Sequence, residues 1–325
     1  MMHAVLHDQK TESITISNVA LPLQKEDEYL IKVSRAAFTL GELQWPRPPE
    51  LVISTPGVEF IGQVVALPRT VSTPKFAVGA RVYARVKYPN PGAAREYTTA
   101  SEGEMARAPV NFTDDQAATV PVNALTAWQW LVEQAGLRGA SGELKCDLTK
   151  EYRMLITGAG GSVGAWAVQL AAMTGATVIG TATGEGIDVV KSFGADEVID
   201  YAKTDLKTWV TEDASRRVDI ALNCVGAMAD AVWYTVKSGG MLRTIVAPAD
   251  FSFDLVAPDD NENVDGKFFI MYPNGQQLEE ISKLIESGKL KAQVDQVFDF
   301  GDAAKALERL ASRKTKGKVV LRVGK

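Results

Sequence analysis

The sequence predicts an α/β chain in two parts: a β-rich, antiparallel and partly barrel-like opening, followed by a doubly wound parallel sheet. Three observations carry this. The first ~120 residues are short alternating segments separated by Pro/Gly clusters. From residue 154 the pattern turns to strand, helix, strand, repeated, which builds a parallel sheet with helices on both faces. The length of 325 residues corresponds to about two domains at ~150 residues each.

In order, residues 29–34, 62–66 and 80–86 alternate and carry branched side chains, so each reads as a strand. Turn clusters lie between them at 45–49, 55–57 and 88–92. A helical stretch with an acidic start opens at Asp114, residues 125–132 continue it at helical spacing, and the polar 138–150 reads as a surface loop. Strands are then expected at 154–157, 176–181, 197–200, 218–225 and 241–246, with helices at 162–174, 187–193 and 206–213. Residues 276–287 form an amphipathic helix with Leu278, Ile281, Leu284 and Ile285 on one face. Residues 302–312 form another, with Asp302 as its expected N-cap, and 318–323 close as a strand.

Apolar residues make up 46% and charged residues 23%, which excludes wholesale disorder. The net charge of −5 argues against a nucleic-acid partner, which selects for a basic face. Cys146 and Cys224 cannot build a disulfide framework, so a reducing compartment is expected. The start shows no basic segment leading into an apolar run, and the weakly polar stretch 154–183 is broken by glycines and Gln169. The expectation is a soluble, cytoplasmic protein with no membrane partner.

The main chemical signal is the turn Gly158-Ala159-Gly160-Gly161-Ser162-Val163-Gly164, which follows a strand and opens a helix. In the G-x-G-x-x-G register Ala159 takes the first place. Gly161 lets backbone approach a pyrophosphate, and Gly164 lets the helix pack close to the strand. The helix start offers amides and a positive dipole end to the anion. Alone, such a turn can be a plain strand–helix connection; the βαβ units after it make it a dinucleotide site. An NAD site places an acid about 20 residues on, at the end of the second strand. Here Thr181 and Thr183 stand in that stretch, with Glu185 nearby. Hydroxyls accommodate a 2′-phosphate where a carboxylate repels it, so NADP(H) is expected over NAD(H), with Lys191 and Tyr201 as further phosphate partners.

Other chemistries lack their residues. His3 and His7 are the only histidines, and no C-x-x-C occurs, so neither a zinc site nor a Ser-His-Asp triad can be assembled. Cys224, in an apolar strand, reads as a packed core thiol.

With these motifs in order, the chain resembles the zinc-independent medium-chain dehydrogenase/reductases, especially the quinone oxidoreductase and enoyl reductase branch. Residues 56–64 (PGVEFIGQV) look like its glycine-acid-aromatic signature, with Val58 where zinc members carry His. Residues 76–83, 94–99, 117–121, 125–128, 193–196 and 317–321 match further landmarks, so the resemblance covers nearly the whole chain.

That resemblance implies a GroES-like catalytic domain (1–121 and 262–325), a Rossmann domain (122–261), and an active site in the cleft between them. It sets Thr126 near the nicotinamide, and Thr39, Leu40 and Gly41 in a loop bordering it, where relatives often carry Asn and Asp. Residues 158–163 become the pyrophosphate turn, and Thr181, Thr183 and Tyr201 adenosine-phosphate positions. Val225, Gly226, Val246, Ala247, Phe269 and Ile270 fall where the family lines the cofactor, although the apolar ones also suit ordinary core packing. Homodimers occur in the family, and the strand near 268–271 could serve as the pairing edge.

The cofactor carries the hydride, and the protein must set it about 3–3.5 Å from an electrophilic carbon. Reduction of an enone or quinone leaves an oxyanion that needs donors. The loop 41–49 lacks the Tyr acid that some enoyl reductases of the family use, so no catalytic residue is assigned. Arg47 can stabilise an oxyanion or be a surface residue; Trp45 can wall an apolar substrate pocket or pack under its loop. The expected function is NADPH-dependent, zinc-free reduction of a quinone, enone or enoyl substrate. The alternatives are a zinc-free alcohol or carbonyl reductase, or a non-catalytic NADPH-binding protein.

Overall fold

In chain order, the computed structural model shows β1 (Met2–Asp8), β2 (Ser13–Val19), β3 (Glu28–Phe38), β4 (Ile53–Ser54), β5 (Glu59–Ala66), β6 (Arg81–Arg85), β7 (Tyr97–Ser101) and β8 (Met105–Arg107). Helices α1 (Asp114–Ala117) and α2 (Pro121–Gln129) follow, then β9 (Arg153–Ile156), α3 (Ser162–Ala172), β10 (Thr177–Ala182), α4 (Gly186–Ser192) and β11 (Glu197–Asp200). Next come α5 (Leu206–Glu212), β12 (Val218–Asn223), α6 (Ala229–Thr235), β13 (Val236–Thr244) and β14 (Asp265–Phe268). The chain closes with α7 (Gly275–Glu286), β15 (Val294–Asp299), α8 (Ala303–Ala311) and β16 (Lys318–Arg322). The structure describes residues 1–139, 141–147, 149, 151–248, 252–258 and 263–324.

The chain divides into two compact units, residues 1–125 with 272–325, and residues 126–271. The crossings lie at 125/126 and 271/272, where the sequence placed them at 121/122 and 261/262. The second differs because β14 pairs parallel with β13 and so extends the sheet of the inner unit.

The outer unit holds a seven-stranded sheet in the order β15-β16-β3-β5-β6-β8, with β7 also on β3, and a three-stranded sheet β2-β1-β4. The pairs β3·β5, β5·β6 and β16·β3 are antiparallel. Alternation turns Tyr29, Ile31, Val33, Phe60, Val64, Val82 and Ala84 into one core. Across β3 and β16, Phe38 faces Val319 and Ala36 faces Leu321, so the two ends of the chain share one sheet. Asp302, expected to cap α8, makes no side-chain cap bond; its carboxylate pairs instead with Lys305 at 2.7 Å.

The inner unit is a six-stranded parallel sheet in the order β11-β10-β9-β12-β13-β14. This is the 3-2-1-4-5-6 order of doubly wound dinucleotide folds, whose strand order reverses between the first and fourth strands, here β9 and β12. Residues 164–171 of α3 are all buried, as expected of a helix without charged residues. β13 begins at Val236, five residues before the strand expected at 241, because Gly239 and Gly240 hid its start from a hydrophobicity reading. The other side of β14 is not bare: Leu255 N donates to Gly266 O (3.1 Å) and Phe268 N to Phe253 O (2.9 Å). A segment of the same chain thus lies along the strand expected to pair with a second copy.

Candidate active site

The glycines of the turn after β9 divide by what a side chain would meet. Gly158 has φ +60°, and a Cβ there would sit 2.6 Å from Val225 Cγ2. A Cβ on Gly164 would lie 2.2 Å from the Gly158 carbonyl oxygen, so only glycine lets α3 close onto the turn. At Gly160 the nearest atom would be 3.8 Å away, on Val190, so the fold makes no demand for glycine there. Gly161 is extended and would meet the Gly158 oxygen at 3.1 Å. The turn is tied down by Gly161 N to Gly158 O (2.8 Å), Ala159 N to Thr181 O (3.0 Å) and Gly158 N to Thr181 Oγ1 (3.0 Å). Ser162 and Val163 then open α3, whose first turn carries no acid, so the positive end of its dipole is not offset.

The residues expected around an adenosine phosphate have separate tasks. Thr181 is fully buried and its hydroxyl holds the glycine turn, so it serves the loop. Thr183 donates to Asp200, the main reason that carboxyl lies below its usual range. Lys203 pairs with Asp200 at 3.3 Å, and the Tyr201 ring stands 46% exposed beside them. Sequence reasoning missed Asp200 and Lys203, because both belong to the end of the third strand and the pattern sought an acid on the second.

At the strand ends β9, β12 and β13 a buried neutral ladder appears. Thr157 Oγ1 donates to Asn223 Oδ1 at 2.8 Å, and Asn223 Nδ2 donates to Thr244 Oγ1 at 3.3 Å. The same side chains take the amides of Cys224 (3.0 Å), Val225 (3.2 Å) and Val246 (3.1 Å). The ladder therefore sets the loops that carry Val225, Gly226, Val246 and Ala247. Gly226 and Val246 are brought together: a Cβ on Gly226 would come 3.3 Å from Val246 Cγ1. Gly226 and Ala247 are exposed. Phe269 is buried, its amide on Thr244 O at 3.0 Å, whereas Ile270 is exposed. Thr126 is buried on α2, and burial pushes the Cys224 thiol up to about 12, which keeps it protonated.

In the outer unit, β3 ends at Phe38, and Thr39 and Leu40 lead through Gly41 (φ +82°) into a short helical turn, Glu42–Gln44. The buried Glu42 carboxylate accepts the amides of Thr39 (3.0 Å) and Gly57 (2.7 Å), and burial pushes it up to about 7. Beside it lies a fully buried ion pair, Lys318 Nζ to Glu59 Oε1 at 2.5 Å. Glu59 Oε2 accepts Val122 N at 2.9 Å, and Lys318 Nζ also donates to Thr39 Oγ1 (3.0 Å) and Asn123 Oδ1 (3.4 Å). Arg85 faces Glu59 across β5 and β6. Glu59 and Lys318 entered the sequence reading only as members of the matched stretches 56–64 and 317–321, and neither they nor Glu42 and Asn123 were given a role, since nothing local marks a partner on a distant strand.

Arg47 is neither a surface residue nor an open anion site. Its guanidinium donates to the carbonyls of Glu42 (3.2 Å) and Leu43 (3.0 Å) and to Ser54 Oγ, stapling its own loop. Trp45 packs edge-on against Tyr88 at 5.4 Å, and the Tyr88 hydroxyl donates to Trp45 O at 3.1 Å.

Comparison with known proteins agrees with this architecture. A family model described as zinc-binding dehydrogenase matches residues 193–321. The probable zinc-binding oxidoreductase, mitochondrial, of Arthroderma benhamiae is 37% identical over 98% of this chain and 96% of its own. The NADPH-dependent alkenal/one oxidoreductase, chloroplastic, of Arabidopsis thaliana is 32% identical over 94% of this chain and 74% of its own. The solved quinone oxidoreductase from Coxiella burnetii superposes with a TM-score of 0.82 at 23% identity, covering 99% of both chains. No helix among the described residues is long and apolar enough to cross a membrane, and the Arthroderma benhamiae and Arabidopsis thaliana relatives carry organellar names, so the cytoplasmic expectation is not supported by them.

The zinc of the family description does not fit the residues present. Glu59 is committed to Lys318 and to an amide, Glu42 to two amides, and Val58 offers no ligand atom. Among the described residues no group of three or more His, Cys, Asp or Glu side chains is placed to hold a metal. The 37% identity across nearly the whole chain, together with the strand order and the glycine turn, places this protein in the medium-chain dehydrogenase/reductase superfamily of oxidoreductases, among its quinone-oxidoreductase-like members.

Proposed function

We propose that the protein is an NADPH-dependent reductase that delivers hydride to a quinone or to the activated carbon–carbon double bond of an enone or enoyl compound, without a metal. The observation that carries the reading is the unobstructed Gly160 at the start of α3. The fold tolerates a Cβ there, so glycine at that place answers to something that approaches the backbone from outside. A pyrophosphate fits that demand, with the α3 dipole facing it. The coenzyme, when bound, supplies the hydride. The chain's own part is to hold and orient: the neutral ladder sets the loops at 224–226 and 245–247, and no buried charge in it competes with an anionic ligand. The 2′-phosphate is assigned to Tyr201 and Lys203, with the ionised Asp200 carboxylate paired to Lys203 and hydrogen-bonded by Thr183.

The test is Gly160→Val. It should weaken NADPH binding at least about tenfold, the cost of one lost close approach, while the melting temperature stays unchanged. Titration of wild type with NADPH and NADH, then coenzyme oxidation against quinones, enones, enoyl thioesters, aldehydes and ketones, completes it. Unchanged binding in the variant sinks the placement of the turn. Turnover confined to aldehydes or ketones would move the assignment to a carbonyl reductase.

A further inference from the structure

We propose that the outer unit carries a binding site for the carboxylate of a small organic acid, with the Arg85 guanidinium as its receptor; the site stands apart from the reductase reading. Arg85 closes β6 and is only 7% exposed. Its Nε is buried without a hydrogen-bond partner, and among the described residues no hydrogen bond or ion pair reaches any of its nitrogens. Three other arginines, Arg47, Arg95 and Arg153, also bury an unpartnered Nε. Each of them commits a terminal nitrogen to the protein: Arg47 to two carbonyls (3.2 and 3.0 Å), Arg95 to Thr98 Oγ1 (3.0 Å) and Arg153 to Glu151 Oε1 (2.9 Å). Arg85 commits none. A guanidinium stays charged in a protein, and a buried charge without a partner is costly, so the arrangement calls for an anion from outside the chain.

The acids whose charge reaches Arg85 are Glu104, Glu59 and Glu42, and each is held elsewhere. Glu59 stands directly across from Arg85 on β5, and so on the same face of the sheet. Its oxygens go to Lys318 Nζ (2.5 Å) and to the Val122 amide (2.9 Å). Glu42 accepts the Thr39 and Gly57 amides, and burial favours its neutral form. Glu104 is partly exposed and accepts the Ser101 amide at 2.9 Å, closing a capping box. Lys318 therefore balances Glu59, and Arg85 is left as the surplus positive charge of the buried cluster. Shape narrows the ligand. Nε is the one nitrogen of Arg85 sealed from solvent, which leaves the Nη1–Nη2 edge to meet it. That edge presents two parallel N–H donors, the match for the two oxygens of a carboxylate.

The test is calorimetric titration of the intact protein with benzoate and propionate, against benzamide and propionamide as neutral matches of the same shape, at fixed pH and ionic strength. Each carboxylate should bind once per chain with a Kd of about 1 mM or tighter, and its amide at least about tenfold more weakly. Arg85→Gln should lose at least about tenfold in carboxylate affinity. Arg85→Lys keeps the charge and loses the fork, so its affinity should fall between the two; it carries the test should Arg85→Gln fail to fold. The melting temperature is a second readout. Without ligand, Arg85→Met should melt at or above wild type, because it removes a buried charge that nothing holds. Benzoate should raise the melting temperature of wild type and not of Arg85→Met. Equal binding of acid and amide, full carboxylate binding by Arg85→Gln, or no saturation about tenfold above that Kd overturns the proposal. So does a marked fall in melting temperature for Arg85→Met, which would mean that the protein itself satisfies the guanidinium. All of these are read without coenzyme, so the reductase reading stands or falls separately.

Discussion

The two units solve the same problem, buried polar groups beside loops that must be held, in opposite ways. The inner unit uses neutral groups: Thr157, Asn223 and Thr244 pass hydrogen bonds along the strand ends and catch three loop amides. The outer unit uses charge: Glu42, Glu59, Lys318 and Arg85 are all buried. A neutral ladder costs little to bury and is indifferent to pH, whereas a buried ion pair is stable only while both partners are present. The unit that would face coenzyme phosphates thus holds its loops through neutral side chains, with its buried Arg243 paired to Asp265, and the unit bearing Thr39 carries charge close beneath its surface.

The widest gap between them should open on removing Lys318. Lys318→Met strands Glu59, and urea unfolding should show a loss of about 3–5 kcal/mol, most of it recovered by adding Glu59→Gln. Equal losses in the single and double variants would mean the pair is not a unit. Next comes pH. Burial raises Glu42 from 4.5 to about 7 in the folded state, so the neutral form is the one the fold favours. Its contribution is complete below about pH 4.5 and is lost as pH rises to about 7, on the order of 3 kcal/mol. The stability of wild type relative to Glu42→Gln should fall across that window and level off above it; a flat difference contradicts the assignment. The smallest effect belongs to the ladder. Asn223→Ala should cost about 1–3 kcal/mol through orphaned partners, and by the same amount at about pH 5 and about pH 8, since no member of the ladder titrates there.

What could be read from the sequence follows the range of the interactions involved. The glycine turn was legible because its constraints are local: Gly158, Gly164 and the β9 strand lie within one short segment. The βαβ rhythm was legible for the same reason. Thr181 shows the limit, since it lies on β10 as expected while its hydroxyl is consumed by the Gly158 amide. Arg47 shows it again, because a side chain that folds back on its own loop cannot be told from an exposed one by composition. The pairing of Glu42, Glu59 and Lys318 into one cluster was out of reach, although Glu59 and Lys318 lie in stretches that matched the family. Lys318 and Thr39 are 279 residues apart, and only the β3–β16 pairing brings them together.

That pairing also sets an order of assembly on the ribosome. Strand β3 and the acid at Glu59 leave the exit tunnel long before β16, so the early part of the chain must wait with Glu59 facing Arg85 but without its Lys318 partner. The nested parallel sheet, contiguous in the chain, can finish in the meantime. Closure of the outer sheet then comes with the arrival of residues 318–322, and the lysine that latches it comes on the same strand.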